Sequence, residues 1–332
     1  MRFLPTDEQS DFARTLRSLL GSADVPAAVR AWAGGGHGPG RALWARLAGT
    51  GLFALAVPES YGDSGGLGPL PLELALGFVE LGRAGMPGPV VETAAVSVLL
   101  SELGDEGLAK RFLPGLVTGE ASAALTLPGG SPYALDADAA TYCFTVSASG
   151  ELRLADAAAG ATAASLDPAR RLSVPSGGGE LLAAGPAVTA AAQAAGRRAR
   201  LLTAAQCLGV GETLLDRTVE YAKQRTQFGT PIGSFQAVKH RLADTLLGLE
   251  FARPLLWAAA LTLTPGDVAA AKLTAGEASY AAARTALQLH GAVGYTQELD
   301  LSLWLRKARP LRDAWGTPAA CRAEVLRPRV RW

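Results

Sequence analysis

The stretch YAKQRTQFGTPIGSFQ, residues 221–236, sets Arg225, Gln227, Phe228 and Gln236 into a joint between two long apolar segments. A plain connection needs turn formers such as Gly229 and Pro231 and little else. Arg225 is a permanent planar cation, suited to holding a phosphate or a carboxylate through two parallel hydrogen bonds. Gln227 and Gln236 add amide groups, and Phe228 adds a stacking or packing surface. Two readings fit these residues. One is an anion clamp; the other is a helix-capping turn whose arginine meets a nearby carboxylate.

The elements around the joint are mostly helical. Thr6 followed by Gln9 has the spacing of a capping box and opens a helix over 7–20. A second helix is expected over 40–51, with Gly51 just past its end. Residues 56–68, AVPESYGDSGGLG, read as a long loop, and helices follow near 70–83, 91–103 and 106–118. From Ala121 the period shortens, and β-branched, Gly and Asp residues punctuate it, as in a small β module. Helical periodicity returns over 187–224, 234–263 and 266–291, with a shorter helix after Gln297, the pattern of a four-helix bundle. The division is a helical domain over 1–120, a β domain over 121–186 and a bundle over 187–332, giving a mainly α fold with a small β part.

Composition limits the function. Hydrophobic residues make up 49% and charged residues 18%, enough for a large core and too apolar for global disorder. A net charge of +1 gives no electrostatic footprint for nucleic acid. The three cysteines, Cys143, Cys207 and Cys321, form no CxxC pair, as expected of a reduced, cytoplasmic protein without a zinc site. The most apolar window, 185–215, is interrupted by Arg197, Arg198 and Arg200, which argues against a membrane span.

With these segments in order, the chain resembles the acyl-CoA dehydrogenase family along nearly its whole length. The resemblance rests on GLFALAVPESYGDSGG, ELGRAGMPGPVVETAAV, ASLDPARRLSVP, YAKQRTQFGTPIGSFQAVKHRLAD and LQLHGAVGYTQELDLSLWLRKA. It implies N-terminal helices, a middle β barrel, here reduced, and a C-terminal four-helix bundle, assembled as dimers or tetramers. It implies FAD at a subunit interface, oxidation of acyl-CoA thioesters to 2-enoyl-CoA, and electron delivery to an electron-transfer flavoprotein. By position, Arg225 matches the arginine on the FAD pyrophosphate of the neighbouring subunit. Phe228 and Gln236 match adjacent cofactor contacts, and Gln288 and Gly291 match the segment lining the dinucleotide from the other side. His290, within that segment, reads as a packing residue or a backbone hydrogen-bond partner.

Two departures from the family pattern bear on chemistry. The reaction needs a positioned base for the α-proton of the thioester. The family places a glutamate either before a Gly-Thr pair near the C-terminus or before an arginine in the first bundle helix. Here those positions hold Trp315, before Gly316–Thr317, and Ala199, before Arg200. Neither accepts a proton, and Trp315 would set an indole where the reacting carbons belong. Asp313 is the nearest alternative carboxylate. The β module is also short, the family's Thr-Glu-Pro reads Thr126–Leu127–Pro128, and 130–165 contains no tryptophan.

The pattern resembles the base-less subunit of α2β2 relatives, in which the catalytic glutamate sits in the homologous partner. Two other readings stay open: a homomeric dehydrogenase with Asp313 as displaced base, and the same fold reused for non-redox biosynthetic or scaffold work.

Overall fold

The computed structural model describes residues 4–155 and 162–327. Thr6 begins it as its side chain dictates: Thr6 Oγ1 accepts from the Gln9 amide at 3.2 Å and Gln9 Oε1 accepts from the Thr6 amide at 2.9 Å. That capping box opens α1 (Asp7–Gly21). α2 (Val25–Ala33), α3 (Gly38–Ala48), α4 (Pro71–Ala84), α5 (Val90–Leu103) and α6 (Glu106–Thr118) follow. The expected second helix differs at both ends. α3 stops at Ala48, and the preceding α2 was not foreseen, being nine residues capped by Asp24 and cut off by glycines. Residues 56–68 are no open loop: a 3-10 turn spans Glu59–Ser64, and Pro58 bridges to Gly68.

The middle of the chain forms β1 (Ala123–Thr126), β2 (Ala134–Leu135), β3 (Tyr142–Val146), β4 (Glu151–Ala155), β5 (Leu172–Ser173) and β6 (Glu180–Ala184). The main sheet has the order β1-β3-β4-β6; β1 and β3 run parallel and the other pairs antiparallel. β2 and β5 pair separately, with Ala134 opposite Ser173. The tryptophan-free stretch over 130–165 is described except at 156–161, which lie outside the described residues.

The bundle consists of α7 (Pro186–Gln224), α8 (Gln236–Thr262), α9 (Pro265–His290), α10 (Leu301–Asp313) and α11 (Pro318–Val325), the last unforeseen because it is short. α7 has 39 residues and is buried along most of its middle, so it serves as the spine. α4 crosses it where side chains are missing: a Cβ at Gly82 would collide with the Gln206 carbonyl, and one at Gly209 with that of Val79. This close approach puts the N-terminal helices and the bundle into one continuous core running from Leu16 to Leu311.

Candidate functional site

α7 ends one residue before Arg225, whose amide still donates to the Tyr221 carbonyl at 2.8 Å. The chain then makes a tight hairpin, with β7 (Thr226–Gln227) pairing with β8 (Thr230–Pro231). Its two turn residues, Phe228 and Gly229, have φ of 54° and 79°. Positive φ at both positions is what a type I′ hairpin requires. Glycine adopts it freely, whereas for phenylalanine it costs about 1 kcal/mol. The strain is not repaid by burial: the Phe228 ring is 93% exposed and meets Phe235 edge-on at 6.2 Å. Gln236, the first residue of α8, is exposed, as is Arg225. Among the described residues no ion pair engages Arg225, so the reading in which it meets a neighbouring carboxylate finds no support within this chain.

The end of α9 lies beside this joint. Tyr221 stacks on His290 with ring centroids 4.1 Å apart. His290 Nδ1 is 2.8 Å from the Ala286 carbonyl, and burial lowers its pKa. This is a packing and backbone role. Gly291 follows at φ 62° and starts a 3-10 turn, Gly291–Tyr295. Exposed Gln288 borders an open cleft of about 380 Å³ whose wall includes Arg241, Arg284, Thr285 and Tyr295, and no carboxylate. The sequence reading missed both arginines. Arg284 was within reach, since it sits four residues before Gln288 and so shares its helix face. The arrangement presents cations, amides and an aromatic ring outward, chemistry suited to a phosphorylated planar ligand.

The other positions lie far from this joint. Arg200 is 25 residues before Arg225 on the same helix, which at about 1.5 Å per residue is roughly 37 Å. Arg200 Nε donates to the Trp315 carbonyl at 2.9 Å, so the two segments that the resemblance marks for a base converge here. Ala199 is fully buried and its carbonyl accepts from Thr203 Oγ1 at 2.7 Å. Trp315 sits at φ 55° just past α10, and its indole Nε1 donates to Glu92 Oε1 at 2.9 Å. Lys272, buried, donates to the carbonyls of Arg312 at 2.8 Å and Gly316 at 3.3 Å, fixing the turn. Asp313 points elsewhere: it pairs with Arg309 at 3.2 Å, is 40% exposed, and does not border the space in front of Trp315. Thr126 ends β1, and the next residue, Leu127, packs against α7 near Gly196. That is still farther along α7 from Arg225 than Arg200 is.

The space in front of Trp315 is a cavity of about 20 Å³, bounded by Glu92, Asp136, Arg170, Gln206, Lys307 and Trp315 among others. Sequence reading missed this buried polar set. Glu92 lies in the apolar run VVETAAV, and burial raises its pKa. Asp136 has φ 50° and a pKa raised to about 7, chiefly by burial. Its Oδ2 has no hydrogen-bond partner in good geometry, although the equally unpartnered Trp32 Nε1 lies toward it. Lys307 Nζ and Asp167 Oδ2 form a buried ion pair at 2.9 Å. A cavity of this size takes about one water, whereas ligand pockets run to several hundred Å³.

Comparison with known proteins matches this architecture throughout. The acyl-CoA dehydrogenase N-terminal domain model matches residues 6–120 and the C-terminal domain model residues 189–327. The chain is 36% identical to acyl-CoA dehydrogenase IpdE2 of Mycobacterium tuberculosis, over 97% of this chain and 96% of that protein. In fold it is similar to the ChsE4-ChsE5 complex from Mycobacterium tuberculosis, with a TM-score of 0.80 at 24% identity over 98% of both chains. It is likewise similar to a glutaryl-CoA dehydrogenase from Mycobacterium smegmatis in complex with FADH2, with a TM-score of 0.81 at 16% identity over 98% of this chain and 94% of that one. With that similarity running end to end through helices, sheet and bundle, the chain belongs to the acyl-CoA dehydrogenase family.

Proposed function

We propose that this chain is the base-less subunit of a hetero-oligomeric, FAD-dependent acyl-CoA dehydrogenase in the cytoplasm. In this reading it completes the flavin site of a homologous partner that carries the catalytic glutamate. One observation carries the proposal: the positions where a base belongs hold Ala199 and Trp315, neither of which accepts a proton, while the outward cation Arg225 lies roughly 37 Å away along α7. A single dinucleotide does not span both, so the two sites in this chain serve different ligands. Arg225 and its neighbours would then serve a flavin held mainly by another chain. The residues fit that group. Arg225 supplies a guanidinium to the pyrophosphate, Gly291 lets backbone amides approach, and Phe228, Gln236 and Gln288 offer contacts around it. Thr126, at the far end, would contact flavin only if this chain also held one of its own. That one fold neighbour was solved as the ChsE4-ChsE5 complex supports an assembly of unlike chains.

FAD, when bound, supplies the electron sink for α,β-desaturation of an acyl-CoA, with electron-transfer flavoprotein as acceptor. This chain's residues hold and orient the cofactor, and proton abstraction belongs to the partner. Asp313 is a poor alternative base because it faces Arg309 at the surface. A homodimer built on it would need that ion pair broken.

The experiment is a visible spectrum of the chain alone and co-expressed with a homologous dehydrogenase subunit. A yellow preparation only on co-expression is expected. A yellow lone chain bleached by an acyl-CoA would overturn the proposal in favour of a homomeric enzyme, and two colourless preparations would favour a non-redox role. In the yellow complex, Arg225→Ala should weaken flavin retention about 30-fold, from a lost charge-assisted contact of about 2 kcal/mol. Unchanged flavin content after dialysis would count against the assignment.

A further inference from the structure

We propose that Trp315 is a built-in ligand of this chain's own acyl chamber: its indole fills the space, Glu92 on the opposite wall accepts its N–H, and no acyl group enters. The inference rests on the reading above only in placing Trp315 where the family sets its base.

Glu92 is the first reason. It is 3% exposed on α5, a helix buried on every side from Val90 to Leu100. A glutamate on such a helix is unfavourable unless something engages it. Its side-chain hydrogen-bond partner is the Trp315 indole, 223 residues away in sequence, and the Arg170 guanidinium on the same cavity adds a favourable charge. Its second oxygen, Oε2, has no hydrogen-bond partner, and Glu92 is among the residues bounding the residual cavity. The carboxylate is therefore a polar floor that one side chain covers in part, as a ligand would.

The second reason is how Trp315 is held. A large residue at φ 55° is strained and persists only where its surroundings over-determine it. Arg200 holds the Trp315 carbonyl, and Lys272 holds those of Arg312 and Gly316. Gly316 permits the close approach: a Cβ there would lie 3.0 Å from both Arg200 Nε and Cys321 Sγ. Side chains from two bundle helices, α7 and α9, thus clamp the turn that aims the indole at α5. Packing alone would need no such clamp and no polar floor.

The third reason is volume. With the indole in place about 20 Å³ remains, about one water, among residues that include Glu92 and Asp136. Without the indole, which is partly buried, the space would open by about the volume of that side chain, enough for a small aromatic ring. The chamber is closed by one side chain, and in an assembly of unlike subunits acyl substrate enters the partner's half alone.

The test uses the full-length chain and Trp315→Ala, titrated calorimetrically with two probes, indole and butyryl-CoA. The wild type should bind neither. The variant should bind indole, which should raise its melting temperature, and should gain butyryl-CoA binding at least tenfold. Adding Glu92→Leu should weaken indole at least fivefold and leave 1-methylindole, which donates no hydrogen bond, within twofold. Wild-type binding of butyryl-CoA within twofold of the variant would overturn the proposal. So would a folded variant, checked by circular dichroism, that binds no indole. Should Trp315→Ala fail to fold, the wild-type indole N–H resonances decide. The one lost in Trp315→Phe should exchange slowly with solvent and shift in Glu92→Gln; fast exchange overturns the lock. None of these measurements uses flavin or a partner. A failed flavin test above would leave this result standing, and the reverse also holds.

Discussion

The hairpin joint at 225–236 and the chamber behind Trp315 are built from similar materials and treat them in opposite ways. Each has a bulky aromatic residue at positive φ, Phe228 and Trp315, and each has charged side chains close by. At the joint the ring points into solvent and Arg225 has no ion-pair partner among the described residues. In the chamber the ring is turned inward, its N–H is bound to Glu92, and Lys307 is paired with Asp167. Groups with internal partners are spent on the fold, while groups held outward without partners are left for a ligand. Strain without burial at Phe228 fits the contact surface proposed for this hairpin. The same strain at Trp315, held from α7 and α9, fits the closure proposed for the chamber.

The largest break in this comparison would come from the buried side. Lys307→Met strands the Asp167 charge in the core and should cost about 3–5 kcal/mol in urea unfolding. The double variant Lys307→Met/Asp167→Leu should return close to wild type, because a buried pair replaced by apolar groups is often neutral. A single-variant loss below about 1 kcal/mol would mean that the pair behaves as a surface one, and the contrast would lapse.

Asp136 sharpens the same side through pH. Its folded carboxyl, raised to about 7, keeps a proton that the unfolded chain releases near pH 4. Between those values the folded state binds more protons, so stability falls as pH rises through the window and levels off above 7. Asp136→Asn should flatten that slope, removing a fall on the order of 3–4 kcal/mol between pH 4 and 8, read from unfolding midpoints. An unchanged slope would show that Asp136 ionises freely.

The exposed side should respond weakly in stability and clearly in binding. After the Arg225→Ala loss of about 2 kcal/mol in flavin retention, the smallest effect belongs to Phe228→Gly. Relief of the positive φ, about 1 kcal/mol, is offset in part by glycine's greater unfolded entropy. Stability should therefore stay equal or rise by up to about 0.5 kcal/mol, while flavin retention in the complex falls. A stability loss above about 1 kcal/mol would show that the ring packs within this chain after all.

Much of the fold was legible because its signals are local. The Thr6–Gln9 box, Gly85 and Gly104 in the left-handed conformation after α4 and α5, and the apolar period of α7 each act within one or two turns. α2 and α11 escaped notice because nine or eight residues give too few turns for a period to show. In the candidate site, Arg225, Phe228, Gln236 and Gln288 could be named from one segment and its helical neighbour. Arg241 and Arg284 could have been added from helix geometry alone.

The chain's residues by themselves determined the order of helices, sheet and bundle, a cation at the 221–236 joint, and the lack of a carboxylate at 199 and 315. These depend on residue type and short-range spacing. Only the tertiary structure decided that Trp315 meets Glu92, that Lys307 meets Asp167, and that Asp136 is fully buried with Trp32 Nε1 toward it. These pairings join distant segments, and the low dielectric that gives them weight exists only once the core has closed around them.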